Sequence, residues 1–190
     1  METARFQQTI SSASYREVVV GGSLARKFRM CINFSPFPKE ENFRKTFDYL
    51  LFDPMGDKPS MKIEQQESWQ IKDEMSGEIC MELATYQKSG EVKGKLHYSQ
   101  CDIFCFTCPY IEKLYLFKFD PLKQYIISLH ESNLLKIYDA KESSEDWIKS
   151  KDTNPVRLCY LDLQQTIYDL RSDTKVYTFQ ELDILQPLTK

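Results

Sequence analysis

Hydrophobic and polar positions alternate most clearly between residues 47 and 83. Phe47-Asp48-Tyr49-Leu50-Leu51-Phe52-Asp53 predicts a strand, Pro54-Met55-Gly56-Asp57-Lys58-Pro59 a turn, and Ser60-Met61-Lys62-Ile63-Glu64-Gln65-Gln66 a second strand. Glu78-Ile79-Cys80-Met81-Glu82-Leu83 predicts a third after a polar loop. Side chains along a strand point alternately to its two faces, so Lys62, Glu64 and Gln66 share one face and Met61, Ile63 and Gln65 the other.

Elsewhere the pattern is more mixed. Phe6, Ile10, Val18, Val19, Val20, Leu24 and Phe28 have partial helical spacing, which predicts one or two helices, broken or kinked at Gly21-Gly22. Met30 to Phe34 predicts a strand, closed by Pro36 and Pro38, and residues 39–45 a charged loop or helical turn. Residues 86–95, with Gly90 and Gly94, predict a hairpin connection leading to a strand near Leu96-His97-Tyr98. Two aromatic and aliphatic strands, at 102–106 and 114–119, are expected in the middle of the sheet. Asp120 as N-cap with Pro121 in the first turn predicts a helix running to about residue 129. Residues 134–140 predict a short helical or extended piece and 141–154 an exposed charged loop. An extended piece from Val156, a helix over 161–170, a strand over 175–179 and a final helical turn complete the pattern.

Composition narrows this to one folded unit. A chain of 190 residues that is 42% hydrophobic and 13% aromatic can bury one substantial core, so a single domain over 1–190 is expected. The formal net charge of −3 does not announce a polyanion-binding protein, although a local basic face can exist on an acidic one. The first residues lack the apolar core of a secretion signal, and no apolar run approaches the roughly 18 residues of a membrane span. A soluble, cytoplasmic protein with no membrane partner is expected.

Several chemistries lack their residues. The two histidines, His97 and His130, have no spacing that suggests a zinc protease or a nucleophile–base pair, and no glycine-rich phosphate loop or glycine-flanked nucleophile occurs. Of the six cysteines, Cys101, Cys105 and Cys108 cluster closely enough to raise zinc or iron–sulfur binding. They fall on a buried-looking strand rather than in paired turns, which suits cysteine as a small apolar filler.

The stretch from 46 to 83 is richer. Two or three carboxylates on adjacent strands suit magnesium, which prefers hard oxygen ligands, keeps several waters and needs only a couple of protein carboxylates beside substrate phosphates. Asp48 and Glu64 are the candidate ligands, with Glu82 as a third and Asp53 in reserve. Asp102 is read either as a structural hydrogen-bonding acid or as part of a site. Each acid also has a plainer reading: Asp48 pairing with Arg44 or Lys45, Glu64 and Gln66 on the solvent face of an edge strand, Glu82 on the surface, Asp53 forming a turn. Lys88, Lys93 and Lys95 of the hairpin region, with Lys62, form the candidate basic face; a solvated hairpin tip would also explain the first three.

An aspartate on one strand followed by Glu64-x-Gln66 on the next resembles the PD-(D/E)XK, or restriction-endonuclease-like, nuclease superfamily. Its core is a sheet whose strands carry an aspartate and then an acid-x-lysine pair. Gln66 stands where the family's lysine is usual, a substitution that some restriction endonucleases share, and Lys62 on the same strand face could supply the missing charge. Ser99-Gln100-Cys101-Asp102-Ile103 occupies the place of a serine/threonine-lysine-alanine-aspartate-tyrosine run in phage and mobile-element relatives, without the lysine and tyrosine.

The resemblance covers residues 45–130, about half the chain. It implies an α/β (α+β) fold with a central mixed β-sheet flanked by helices, and a metal-dependent endonuclease that hydrolyses DNA with Mg2+ or Mn2+. In that reading Asp48 and Glu64 hold metal, Gln66 orients the water or the scissile phosphate, Glu82 completes the site, and a homodimer is expected. The alternative is a non-catalytic nucleic-acid or protein interaction module on the same fold.

Overall fold

A computed structural model describes residues 17–34, 47–68, 71–87, 90–139 and 156–184. The expected loop at 141–154, the prolines at 36 and 38, the charged segment at 39–45 and Lys88 lie outside the described residues. Among those described, no helix is long and apolar enough to cross a membrane.

The architecture is α+β, built on a central mixed sheet. Strands β1 (Cys31–Asn33), β2 (Tyr49–Phe52), β3 (Met61–Glu67), β6 (Ile103–Cys108), β7 (Lys113–Lys118) and β10 (Thr174–Thr178) lie side by side in the order β1-β2-β3-β6-β7-β10. Only β3 and β6 run parallel. The expected strand pair around the turn at 54–59 is the β2–β3 hairpin, in which Gly56 takes a left-handed conformation (φ 78°) and Asp53 accepts the Met55 N–H at 3.0 Å. Asp53 is therefore a turn former. β6 and β7 are interior strands, as their apolar content predicts.

A second, antiparallel sheet contains β4 (Glu78–Gln87), β5 (Gly90–Lys93), β8 (Lys136–Asp139) and β9 (Val156–Asp162), ordered β5-β4-β9-β8. β4 is therefore not a third strand beside β2 and β3, as the pattern over 46–83 predicts. Instead the chain leaves β3 through the segment at 68–77, and β6 takes the place beside β3. The predicted strand at Leu96-His97-Tyr98 is a short helix, α2 (Lys95–Tyr98).

Alternation along β6 and β7 builds a core on each face of the central sheet. Phe104, Phe106, Tyr115 and Phe117 face Ile79, Met81, Cys159 and Leu161 of the second sheet, and Phe119, Leu122 and Ile126 of α3 (Phe119–Glu131) join them. Cys105, Leu114 and Leu116 face the other way, with Tyr49, Leu51 and Ile63, towards Val20, Leu24 and Ala25 of the first helix, α1 (residues 17–28). Cys105 thus belongs to the opposite core from Cys101 and Cys108, so the three thiols do not converge. Burial pushes each of them up to about 12, keeping them protonated as apolar filler.

Two helix predictions need correction. Helix α1 runs unbroken through Gly21-Gly22, because tertiary packing offsets the roughly 1 kcal/mol that each glycine costs in a helix. A Cβ on Gly21 would stand 2.2 Å from the Ile32 side chain and 3.4 Å from the Tyr49 ring, so its bare backbone brings the helix close to β1 and β2. Helix α3 starts two residues earlier than expected, with Lys118 as N-cap and Asp120 in the first turn. The last helix, α4 (Leu163–Asp169), is capped by Asp162, whose carboxylate accepts the Gln165 N–H at 2.7 Å.

Candidate active site

Strand β3 is central, not an edge, and its acid is buried: Glu64 is only 2% exposed. Glu64 pairs in register with Phe104 and Gln66 with Phe106, so both point to the face covered by the second sheet. On the opposite face Gln65 accepts a hydrogen bond from the Tyr49 hydroxyl at 3.4 Å. The alternation expected from the sequence therefore holds, with neither face left to solvent.

Asp48 sits at the bend that leads into β2. Its N–H donates to the Ile63 carbonyl at 2.8 Å, and its carboxylate accepts the Gln65 N–H at 2.6 Å. Main chain and side chain of Asp48 thereby bracket Glu64 from both sides. A backbone N–H donated to a carboxylate also favours the charged form and fixes the group's direction.

Lys95, the first residue of α2, completes the arrangement. Its ammonium donates to Glu64 Oε1, forming an ion pair that ties α2 to β3. Gly94, the residue before it, donates its N–H to the Leu83 carbonyl at 2.8 Å. A Cβ there would stand 2.5 Å from the Glu82 carbonyl oxygen, so the chain passes β4 at a distance only glycine permits. Lys95 was expected among the exposed DNA-contacting lysines and instead stands half-buried beside an acid.

A third carboxylate, Glu17 at the start of the described part of α1, joins the group electrostatically. Burial pushes Glu17 up to about 7, Asp48 adds to the rise, and Lys95 opposes it. Glu64 is likewise pushed up to about 7, first by burial and then by Asp48 and Glu17, against the pull of Lys95. Burial also raises Asp48, while Lys95 and the Gln65 N–H hold it down. For Lys95 burial disfavours the ammonium, yet Glu64 and Asp48 overcome it and hold its pKa above the ordinary lysine value. Three acids thus compete for one ammonium in a desolvated setting.

The remaining candidates lie elsewhere. Gln66 donates its side-chain amide to the Cys80 carbonyl of β4 at 2.5 Å. Glu82 is on β4, and the group whose pKa it raises is the Tyr98 phenol. Among the described residues no three His, Cys, Asp or Glu side chains form a group that could hold an ion, so Asp48, Glu64 and Glu82 are not assembled as a trio. Lys62 places its ammonium 5.9 Å from the centre of the Phe47 ring, and Lys93 is exposed on β5. Asp102 is a structural acid: its carboxylate accepts the Lys62 N–H at 2.7 Å and its own N–H donates to the Lys62 carbonyl at 2.8 Å.

Glu17 as a member of the site, and Lys95 as the partner of Glu64 rather than of DNA, were not legible in the sequence, for different reasons. Glu17 lies one and two turns before Val20 and Leu24 on the buried stripe of α1, so an acid in line with apolar positions was the available signal. Lys95 follows a glycine in a segment whose lysines all look like hairpin-tip residues, and a four-residue helix carries no periodicity.

Fold and site together define an α+β protein with a buried carboxylate–lysine cluster between two sheets. No protein-family model matches the sequence, and no curated protein matches it. Among solved structures, a bacterial homing endonuclease, I-Ssp6803I, is similar over 59% of this chain and 72% of its own, with 16% identity and a TM-score of 0.41. So slight a likeness carries no argument about activity, and the functional reading rests on the geometry of the site.

Proposed function

We propose that the protein is a metal-dependent endonuclease that hydrolyses DNA phosphodiester bonds, with Asp48 and Glu64 holding Mg2+ or Mn2+. The observation that carries this reading is the bracketing of Glu64 by Asp48, which holds two carboxylates together in a buried site beside a single ammonium. The donor set fits the ion. Magnesium needs only one or two carboxylates, and acids pushed up to about 7, first by burial and then by each other's charge, are relieved by a divalent cation.

When bound, such an ion supplies charge stabilisation at the attacked phosphate and lowers the pKa of its water. The chain's own residues do the rest. Asp48 is aimed by the Gln65 N–H, and Glu64 is aimed by Lys95. The Lys95 ammonium, on α2, also places a positive charge next to the acids and would supply the charge that Gln66 lacks. Glu17 acts on the site through its field. Lys93 and Lys88 of the hairpin region are proposed to meet the DNA backbone, and a homodimer would let both strands be cut.

One observation favours the alternative of a non-catalytic module on this fold: the Lys95–Glu64 pair already neutralises Glu64 without any ion. Nicking of supercoiled plasmid with Mg2+ or Mn2+ separates the two. The endonuclease reading requires that wild type nicks and Glu64→Ala does not; it fails if the wild type nicks with neither metal at any salt concentration.

A further inference from the structure

Glu64 and Gln66 are two residues apart on one face of β3, and each reaches out of the central sheet, Gln66 to β4 and Glu64 to α2. Glu64 meets Lys95, and Gln66 meets the Cys80 carbonyl of β4. From Cys80 the connection runs along β4 to an irregularity between Glu82 and Ala84, where the register with β9 shifts. The carbonyl of Leu83, inside that irregularity, accepts the N–H of Gly94. Gly94 is pressed against the Glu82 carbonyl and precedes Lys95 directly. The contacts close a ring: Gln66, Cys80, Leu83, Gly94, Lys95, Glu64, and back along β3.

We infer that Gln66 is a positioning residue: its hydrogen bond to Cys80 fixes β4 against β3 and so sets where the Lys95 ammonium stands relative to Glu64. A glutamine amide suits this task. It can donate to a main-chain carbonyl without adding charge, and a buried carbonyl left without its donor is costly, so the bond resists slippage. A β-bulge between the anchor and the lysine would let β4 turn its following hairpin towards the site. The six-membered ring of contacts has one soft link, because only the Gln66 amide can be removed without changing backbone or the ion pair itself. The sequence resemblance put Gln66 among the catalytic residues; in this assignment its amide is committed to Cys80 and its influence on the reaction passes through Lys95. That catalytic part rests on the endonuclease reading, whereas the placement of Lys95 does not.

The test uses the full chain and two readouts. In a 15N side-chain correlation spectrum, the Lys95 ammonium, shielded and ion-paired, gives a slowly exchanging signal that Lys95→Met removes and so assigns. Gln66→Met, of similar size but with no donor, is expected to abolish or broaden that signal while the backbone spectrum stays dispersed. Gln66→His, which places an N–H at a similar reach, is expected to restore it. Should the methionine variant unfold, Gln66→Asn, which keeps the amide but is one methylene shorter, carries the same expectation. In plasmid nicking, Gln66→Met should lower kcat at least about tenfold with KM within about twofold, and should change the residual rate of Lys95→Met by less than about twofold. A Lys95 signal unchanged in the folded methionine or asparagine variant, or equal rate losses with and without Lys95, would overturn the assignment. If the wild type does not nick at all, the endonuclease reading fails and the ammonium signal alone decides the role of Gln66.

Discussion

Asp48 holds Glu64 between two hydrogen bonds: it donates its own N–H to the carbonyl of Ile63 and accepts the N–H of Gln65 on its carboxylate, at 2.8 and 2.6 Å. The acid that precedes β2 is thereby tied to the backbone of β3, and the two residues are fixed relative to each other by one main-chain and one side-chain hydrogen bond to that backbone rather than by packing alone. Different substitutions of Asp48 therefore have separable effects. Asp48→Asn keeps an acceptor for Gln65 and should leave the fold intact while lowering nicking by at least about 100-fold. Asp48→Ala loses the acceptor as well and should cost a further 1–2 kcal/mol or so in urea unfolding.

The raised carboxylates give stability a pH dependence of definite sign. Glu64 and Glu17 titrate near 4.5 when unfolded and about 7 in the fold, so the folded state holds more protons between those values. Stability then falls as pH rises from about 4.5 to about 7 and levels off above it. Taken alone, the shift at the almost fully buried Glu64 corresponds to roughly 3 kcal/mol. Glu64→Gln should flatten the profile and be more stable than wild type at pH 8, measured by urea unfolding at pH 5 and pH 8. The same protons compete with a divalent ion, so nicking should rise from pH 6 to pH 8.

Removing Lys95 takes away the ammonium that is ion-paired with Glu64. Below about pH 6 Glu64 can keep its proton, so Lys95→Met should cost under about 1 kcal/mol there. At pH 8 wild-type Glu64 is ionised against the ammonium, whereas without Lys95 it must hold its proton or ionise unpaired, and the loss should grow to about 1–2 kcal/mol. A pH-independent loss would mean that Lys95 serves packing rather than charge.

Gly21 and Gly94, both buried, should respond differently to alanine. At Gly21 the first atom met is the end of the Ile32 side chain, which can rotate away, so Gly21→Ala should change stability by no more than about 1 kcal/mol in either direction. At Gly94 the obstacles are backbone atoms of Glu82 and Leu83, which cannot yield without moving β4. Gly94→Ala should lose about 2 kcal/mol or more and should also displace Lys95 from Glu64, read from thermal unfolding and from the Lys95 ammonium signal.

Much of the central stretch was legible because period-2 alternation and turn chemistry are local. They placed β2, the turn at Asp53 and Gly56, β3, and the shared face of Glu64 and Gln66. The same local logic misled at Gly21-Gly22, where close packing against Ile32 and Tyr49 outweighs helix propensity, and at Leu96-His97-Tyr98, where a short apolar run is a helix. That β4 leaves the central sheet was not legible, since strand pairing depends on partners far along the chain: β4 pairs with β9 some 80 residues later. For the same reason Glu82 was expected near Asp48 and Glu64, whereas Lys95 and Glu17, both distant in sequence, are the groups that share their field.

The central claim is that Asp48 and Glu64 share one divalent ion. Calorimetric titration of the folded protein with Mn2+ at pH 8, comparing wild type with Glu64→Gln and Asp48→Asn, tests it most directly. One binding event per chain in wild type, lost or weakened at least tenfold or so in each variant, is the predicted result. Equal heats in all three proteins, or none in the wild type, would contradict it.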